Sequence, residues 1–234
     1  IGLGQFAHAM RRNVNMVYIV ENNGVYGLTK GQFSATADKG SKSKKGVVNN
    51  DSPVDLVGLA MQLGASFVAR SFSGDKAQLV PLIQAAMQHG GAAFIDVISP
   101  CVTFNNHAGS TRSYDWVREH NEAVSRIDLI LGRQEITVDY APGEVIDVEQ
   151  HDGTILRLKK LHADYDPTDR VAAMAYMQGH AAKGELVTGL LYLEAEAGDL
   201  HAAQNTSARP LNSLGTAELC PGVAALDKLN AGWR

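Results

Sequence analysis

Apolar and polar positions along the first hundred residues alternate in the manner of an α/β sheet. Continuous apolar runs predict buried strands, and apolar residues at helical spacing predict amphipathic helices. The predicted strands are residues 14–20, 66–70 and 92–98, and the predicted helices are residues 4–12, 54–63 and 75–89. This order favours a doubly wound parallel sheet, which belongs to the α/β class.

The helix at residues 54–63 has predicted ends on both sides. Ser52-Pro53 provides a start, because proline is favoured at the first helical position. Gly64 provides the end. Between the first strand and this helix, residues 34–51 are polar and lack periodicity, which is typical of a long functional loop.

The second half of the chain predicts a different arrangement. Alternating residues on both sides of Asp152-Gly153 predict an antiparallel β-hairpin appended to the sheet. Further elements are helices at residues 116–131 and 167–182, a last strand at residues 186–194, and an extended tail with a short helix at residues 223–230. We therefore divide the chain into a core α/β part, residues 1–133, and a continuation of the same domain, residues 134–234.

Residues 20–32 follow the first strand and change abruptly to turn-forming residues. Asn22, Asn23 and Gly24 come first, and two more glycines, a threonine and a lysine follow. Asparagine can offer a carbonyl oxygen to a hard cation such as Mg²⁺, and glycines let backbone amides approach phosphate. The alternative from these three residues alone is an ordinary turn.

A second polar loop, residues 102–111, follows the strand at 92–98. Ligands bind at the carboxyl ends of strands in open α/β sheets, so both loops should border one site. Cys101 lies at the start of this loop, and its thiol could either bind a metal or be a small buried hydrophobic group. His107 is a candidate proton relay or a hydrogen-bonding loop residue.

Composition excludes several classes of protein. A net charge of -4 argues against nucleic-acid binding, and the one basic cluster, residues 39–45, has no accompanying aromatic residues. The chain lacks an apolar run of about 18 residues, the length that a membrane span needs. Two distant cysteines provide no disulfide framework and fit a reducing cytoplasm. The chain begins at Ile1 rather than methionine, and we expect its natural N-terminus to be missing.

Three segments resemble the β subunits of 2-oxoacid:ferredoxin oxidoreductases, in particular the 2-oxoglutarate type. Residues 22–32 read Asn-Asn-Gly-Val-Tyr-Gly-Leu-Thr-Lys-Gly-Gln, and residues 99–106 read Ser-Pro-Cys-Val-Thr-Phe-Asn-Asn. Residues 210–212 and 218–222 resemble the family's C-terminal tail. The resemblance implies a thiamine diphosphate-binding fold and oxidative decarboxylation of a 2-oxoacid with coenzyme A and ferredoxin.

The resemblance also implies roles for residues of the first motif. Asn23 would bind Mg²⁺ through its side chain, and Val25 would bind it through its carbonyl oxygen. Lys30 would contact the distal carboxylate of 2-oxoglutarate, although a surface lysine is the alternative. The thiamine diphosphate site would comprise Asn22, Asn23, Val25, Tyr26, Gly27, Leu28 and Thr29.

The resemblance makes Cys101 one ligand of a [4Fe–4S] cluster, whereas Cys220 is expected to be a packing residue. The family's upstream cysteines and acidic Gly-Asp-Gly motif are absent, so we expect a fragment that is inactive by itself. An α subunit would complete the enzyme. The open alternatives are pyruvate or another 2-oxoacid as substrate, a non-oxidative thiamine enzyme, and a non-catalytic assembly subunit.

Overall fold

The computed structural model describes residues 2–27, 31–41, 46–99, 136–149, 155–220 and 222–233. The strands are β1 (Met16–Asn22), β2 (Val25–Tyr26), β3 (Gln32–Phe33), β4 (Phe67–Phe72), β5 (Ala92–Ile98), β6 (Val145–Glu149), β7 (Ile155–Lys160) and β8 (Glu185–Leu193). The helices are α1 (Leu3–Arg11), α2 (Leu56–Gln62), α3 (Lys76–Gln88), α4 (Arg170–Ala181), α5 (Leu200–Ala203), α6 (Thr216–Leu219) and α7 (Val223–Ala231), with a 3₁₀ turn at Leu211–Ser213. Among the described helices, none combines the length and apolar character needed to cross a membrane.

The main sheet has six strands in the order β1-β5-β4-β8-β7-β6. Its β1, β5 and β4 strands are parallel, whereas β8 runs antiparallel to β4. The predicted hairpin forms from β6 and β7, and β7 pairs in parallel with β8. The hairpin is therefore continuous with the main sheet, and the α/β class predicted from the sequence is confirmed.

Helices cover both faces of the parallel part of the sheet, as a doubly wound fold requires. On one face, Phe6 of α1 packs edge-on against Phe94 of β5, with ring centroids 5.2 Å apart. On the other face, Leu82 and Ile83 of α3 pack around Ile95. Neighbouring residues of β5 thus enter opposite core clusters, which explains why this strand is buried along its whole length.

Two predictions about these elements are wrong in detail. The first strand was predicted as buried, but β1 lies at the edge of the described sheet and Ile19 is 42% exposed. The second helix begins after Asp55, so Pro53 lies outside it. Asp75, the first residue of the third predicted helix, is the N-cap of α3, because its carboxylate accepts the Gln78 backbone amide at 3.1 Å.

Candidate functional site

The carboxyl ends of β1 and β5 lie side by side. Asn22 pairs with Ile98 in the parallel register, and the Ser99 amide donates to the Asn22 carbonyl oxygen at 2.9 Å. The two loops that follow these strands therefore leave from the same edge of the sheet, as predicted. This edge is where open α/β sheets bind ligands.

The Asn-Asn-Gly stretch forms a compact turn stabilised by its own side chains. The Asn23 side-chain oxygen accepts the Val25 amide at 3.1 Å, which is an Asx turn. Gly24 has a φ of 69°, a conformation that glycine adopts without strain. The short strands β2 and β3 on either side of residues 28–30 pair in antiparallel register, Val25 with Phe33 and Tyr26 with Gln32. Sequence reasoning had predicted only a loop here.

A buried ion pair lies directly beneath this turn. Arg70 of β4 and Asp96 of β5 are opposite each other in the parallel register, and Arg70 Nε donates to Asp96 Oδ2 at 2.9 Å. Only 9% of the Arg70 side chain and 1% of the Asp96 side chain are exposed. Burial alone would lower the pKa of Arg70, but the charges of Asp96 and Asp55 outweigh it and the pKa is raised.

The ion pair is hydrogen-bonded to the turn through Asn22. Asn22 Nδ2 donates to Asp96 Oδ1 at 3.1 Å. On its other side, Asn22 Oδ1 accepts the Thr36 hydroxyl at 2.7 Å. A continuous polar connection therefore runs from the centre of the sheet to the loop at residues 34–38.

The buried side chain of Asn49 stabilises that loop through hydrogen bonds. Its side-chain NH₂ donates to the carbonyl oxygens of Ala37 and Asp38, each at 3.0 Å. Asn49 is buried, and its oxygen accepts the Asp51 amide at 3.2 Å. In the described parts of the long polar loop predicted for residues 34–51, Asn49 therefore connects residues 37 and 38 to residue 51.

A cleft of about 290 Å³ opens beside the turn. Its lining includes Asn22, Asn23 and Thr36 near the turn, and also Leu156, Met177 and Val187 from β7, α4 and β8. The described lining also contains three carboxylates besides Asp96 and only Arg70 as a cation; they are Asp38, Asp55 and Glu185.

The charges of the cleft favour a cation. Arg70 is already paired with two carboxylates, Asp96 and Asp55. Asp38 is exposed as a whole residue, yet its carboxyl is shielded enough for desolvation to raise its pKa. Oxygen donors in this combination suit a hard divalent cation better than an uncompensated anion.

Comparison with known proteins shows what this chain is similar to. The family model for the thiamine pyrophosphate enzyme C-terminal TPP-binding domain matches residues 1–97. The chain is 47% identical over 109 residues to a 2-oxoacid:ferredoxin oxidoreductase β subunit from Saccharolobus solfataricus, covering 45% of this chain and 35% of the relative. It is 31% identical over 154 residues to the 2-oxoglutarate synthase subunit KorB of Methanocaldococcus jannaschii, covering 64% and 57%.

The chain is a homologue of 2-oxoacid:ferredoxin oxidoreductase β subunits. This confirms the family resemblance seen in its motifs, and the domain match supports thiamine diphosphate as the cofactor. The chain spans about a third of the length of the Saccharolobus β subunit.

A solved structure extends the likeness to the whole fold. It is the 2-oxoglutarate:ferredoxin oxidoreductase from Magnetococcus marinus with 2-oxoglutarate, coenzyme A and succinyl-CoA bound. The TM-score is 0.61 at 26% identity, and the match covers 98% of this chain and 61% of that chain. The structural likeness therefore extends beyond the residues matched by the family model.

The predicted site residues of this β-subunit homologue fall into two groups. Asn22, Asn23 and Val25 lie together at the sheet edge, followed by the exposed Tyr26 and Gly27. Leu28, Thr29, Lys30 and Cys101 lie outside the described residues, as do His107 and the helix predicted at 116–131. Within the described ranges, no cluster of three or more metal-ligating His, Cys, Asp or Glu side chains occurs.

Cys220 corrects a prediction about the tail. It was expected to pack, but its thiol is exposed. The surrounding segment contributes no buried side chain in α6 or α7. The sequence pattern of the tail could not show this, because an apolar residue is buried only where a neighbouring surface covers it.

Sequence reasoning missed Arg70, Asp96 and Thr36. A signal for the first two was present, because each is a charged residue inside a strand that is otherwise apolar or neutral. A charge in a strand buried on both faces requires an opposite charge. Thr36 had no such signal, since its role depends on a loop fold that periodicity does not predict.

Proposed function

We propose that this chain is part of the β subunit of a thiamine diphosphate-dependent 2-oxoglutarate:ferredoxin oxidoreductase. The observation that carries the proposal is the Asn22-Asn23-Gly24 turn at the shared strand edge, within the residues matched by the TPP-binding family model. The reaction would convert 2-oxoglutarate and coenzyme A to succinyl-CoA and CO₂ and pass electrons to ferredoxin. An α subunit would be its partner.

The turn would hold Mg²⁺ and the diphosphate of the cofactor. Asn23 would offer its side-chain oxygen and Val25 its backbone carbonyl, and the following residues up to Thr29 would border the diphosphate. The Asn23 oxygen accepts one hydrogen bond from Val25, and a carbonyl oxygen has a second lone pair for a metal. When bound, thiamine diphosphate supplies the nucleophile and electron sink, and the protein binds and orients it.

The acidic cleft supports a metal-bound diphosphate over a free one. Its described cation, Arg70, is paired with Asp55 and Asp96, so it is not available to neutralise phosphate. A Mg²⁺ ion coordinated by oxygen donors would supply the missing positive charge. We expect thiamine diphosphate to bind the α/β complex tightly only with Mg²⁺, measured by calorimetric titration. Binding that is unchanged by a chelator would contradict this arrangement.

Lys30 would select 2-oxoglutarate through its distal carboxylate. The support comes from position in the motif and from relatives, since the matched Mycobacterium tuberculosis protein is named 2-oxoglutarate oxidoreductase subunit KorB, with 39% identity over 107 residues. In the α/β enzyme, Lys30→Ala should raise the Michaelis constant for 2-oxoglutarate far more than that for pyruvate. Lys39→Ala, an exposed lysine on the neighbouring loop, is the matched control. Equal effects of Lys30→Ala on both substrates would refute the role.

Cys101 would be one thiolate ligand of a [4Fe–4S] cluster. The chain has only two cysteines, so its own residues do not fit a four-thiolate cluster, and the proposal concerns Cys101 alone. Electron paramagnetic resonance of the full-length reduced enzyme should show an iron–sulfur signal that Cys101→Ser alters. Absence of any such signal in the wild type would favour a non-oxidative thiamine enzyme. Absence of thiamine diphosphate binding would leave an assembly role.

A further inference from the structure

We propose that Arg70 and Asp96 are positioning residues that fix the direction of the Asn22 side-chain amide and thereby shape the cofactor-binding turn. This inference rests on the proposed function, because it names residues that would act on the same Mg²⁺–diphosphate site. Neither Arg70 nor Asp96 hydrogen-bonds to Asn23 or Val25, the two proposed Mg²⁺ ligands. Their effect passes through hydrogen bonds, which can be followed one donor at a time.

The Asp96 carboxylate determines which way the Asn22 side-chain amide faces. Its carboxylate is paired with Arg70 at 2.9 Å, and an ionised carboxylate only accepts hydrogen bonds. The Asn22 group that faces Asp96 Oδ1 at 3.1 Å must therefore be the NH₂. The side-chain oxygen of Asn22 consequently points the other way, towards Thr36 and the cleft.

The Asn22 side-chain oxygen in turn determines the direction in which the Thr36 and Ser34 hydroxyl groups donate. Thr36 has one hydroxyl proton, and the Asn22 oxygen takes it at 2.7 Å. Ser34 and Thr36 hydroxyl oxygens are 2.8 Å apart, so Ser34 must donate in that bond. The Ser34 oxygen then accepts the Thr36 backbone amide at 3.2 Å. Every proton in this chain of hydrogen bonds has one direction, which the ion pair determines.

Ser34 connects these hydroxyl groups to the Asn-Asn-Gly turn. The Ser34 amide donates to the Gly24 carbonyl oxygen at 3.1 Å, between Asn23 and Val25 in the sequence. We define this path, from Arg70 through Asp96, Asn22, Thr36 and Ser34 to Gly24, as the Arg70 relay. It joins the centre of the sheet to both ends of the Asn-Asn-Gly turn.

Arg70 also contacts a second residue of the cleft lining, Asp55. Its Nη2 donates to Asp55 Oδ1 at 2.9 Å, and Asp55 precedes α2. The neighbouring Val54 amide donates to Ala35 in the relay loop at 2.8 Å. Two nitrogens of one planar guanidinium thus hold two residues of the cleft lining, Asp96 and Asp55, which the single ammonium of a lysine cannot do with the same geometry.

Fold stability alone does not explain a buried ion pair. Replacing such a pair by apolar residues of similar volume is often neutral or stabilising. The pair is therefore expected to have another role, and its connection to the turn provides one. We expect that replacing both residues of the pair lowers the stability of the fold little but lowers the cofactor affinity strongly.

The decisive variant is Asp96→Asn in the full α/β complex. An amide at this position faces two donors, Arg70 Nε and Asn22 Nδ2, so Asn22 must reverse and turn its NH₂ towards the cleft. We expect the affinity for Mg²⁺–thiamine diphosphate, measured by calorimetry, to fall about 10- to 100-fold. If this variant does not fold, the pair Arg70→Met with Asp96→Leu replaces it, and the same loss is expected.

Two variants of Thr36 separate positioning from packing. Thr36→Val removes the donor to Asn22 at nearly constant volume and should weaken cofactor binding. Thr36→Ser keeps the hydroxyl and should retain wild-type affinity. Asp147→Asn, which breaks an exposed ion pair on the hairpin, is the control that should change nothing. Hydrogen exchange of the Val25 amide in the cofactor-free complex should rise in Asp96→Asn and Thr36→Val only.

The outcomes distinguish this inference from the proposed function. Wild-type complex that binds no Mg²⁺–thiamine diphosphate overturns the proposed function and the relay's cofactor role together. Wild-type binding with equal affinity in Asp96→Asn and Thr36→Val overturns the relay and leaves the proposed function standing. Wild-type binding with weakened variants, and a near wild-type melting temperature when both partners are replaced in Arg70→Met with Asp96→Leu, supports both.

Discussion

A second buried ion pair joins the hairpin to the helical layer, and it leads to a quantitative prediction. Asp75 caps α3 and is 2% exposed, and its Oδ2 lies 2.8 Å from Lys160 Nζ on β7. The Lys160 side chain is 15% exposed, and its ammonium lies 4.2 Å from the centroid of the Tyr140 ring. The pair therefore links residues that are far apart in sequence.

The perturbation is a double-mutant cycle of Asp75→Asn and Lys160→Met. Asparagine keeps the capping oxygen, so the first change removes only the charge. Breaking a buried pair strands the remaining charge, and we expect Lys160→Met to lose about 3 kcal/mol and Asp75→Asn about 2 kcal/mol. The smaller second value reflects the partial access of Lys160 to water. The double variant strands no charge and should lose only about 2 kcal/mol, a coupling of about 3 kcal/mol.

Urea unfolding at neutral pH measures each free energy of unfolding. A loss of about 3 kcal/mol should also lower the melting temperature by roughly 6–12 °C for a chain of this size. Asp147→Asn is the control, because its pair with Arg157 is exposed on both sides and should leave the unfolding curve unchanged. A coupling below about 0.5 kcal/mol would refute the reasoning, because independent sites add within that margin.

Two further predictions concern the same region. Gly74→Ala should destabilise the fold by about 2–3 kcal/mol, because a Cβ there would lie 1.8 Å from the Ile136 carbonyl oxygen. Gly90→Ala, which has open space around it, is the control, and equal melting temperatures for the two variants would contradict the packing argument. Burial raises the pKa of Tyr140 to about 12. The pKa of Tyr140 in the folded state thus lies above its ordinary value near 10. The neutral phenol therefore makes its full contribution to stability below pH 10, and this contribution is lost as the pH rises towards 12. The wild type should therefore lose stability more steeply than Tyr140→Phe between pH 10 and 12, and parallel curves would show that the phenol does not matter.

The parts of the fold predicted well from the sequence are those whose burial is uniform. The boundaries of β5 match the predicted run at residues 92–98, because the strand is buried on both faces and its apolar composition changes sharply at each end. The position of β8 between β4 and β7 could not be predicted in the same way. It depends on pairings such as Arg70 with Gly189, which no local pattern specifies.

The start of α2 shows how a local signal can be overruled by a distant contact. Ser52-Pro53 is a sound helix start by local rules, yet the helix begins at Leu56 after Asp55. The Asp55 carboxylate does not cap this helix and instead binds Arg70. Local capping preferences are worth about 1 kcal/mol, which a charged contact in a partly buried site can exceed.

The candidate site follows the same division between local and distant information. The Asn22-Asn23-Gly24 turn was predictable, because its residues are adjacent and a strand precedes them. The ion pair beneath it was not predicted, although one rule would have found it. Asp96 interrupts a run that must be buried, so it needs a cation, and Arg70 is the charged residue in the neighbouring predicted strand. Placing these two strands in parallel aligns Arg70 with Asp96. Two residues further along β5, Ile98 lies opposite Asn22 of β1, the strand on the other side of β5. Charged residues in apolar strands therefore predict strand register and, through it, the position of a site.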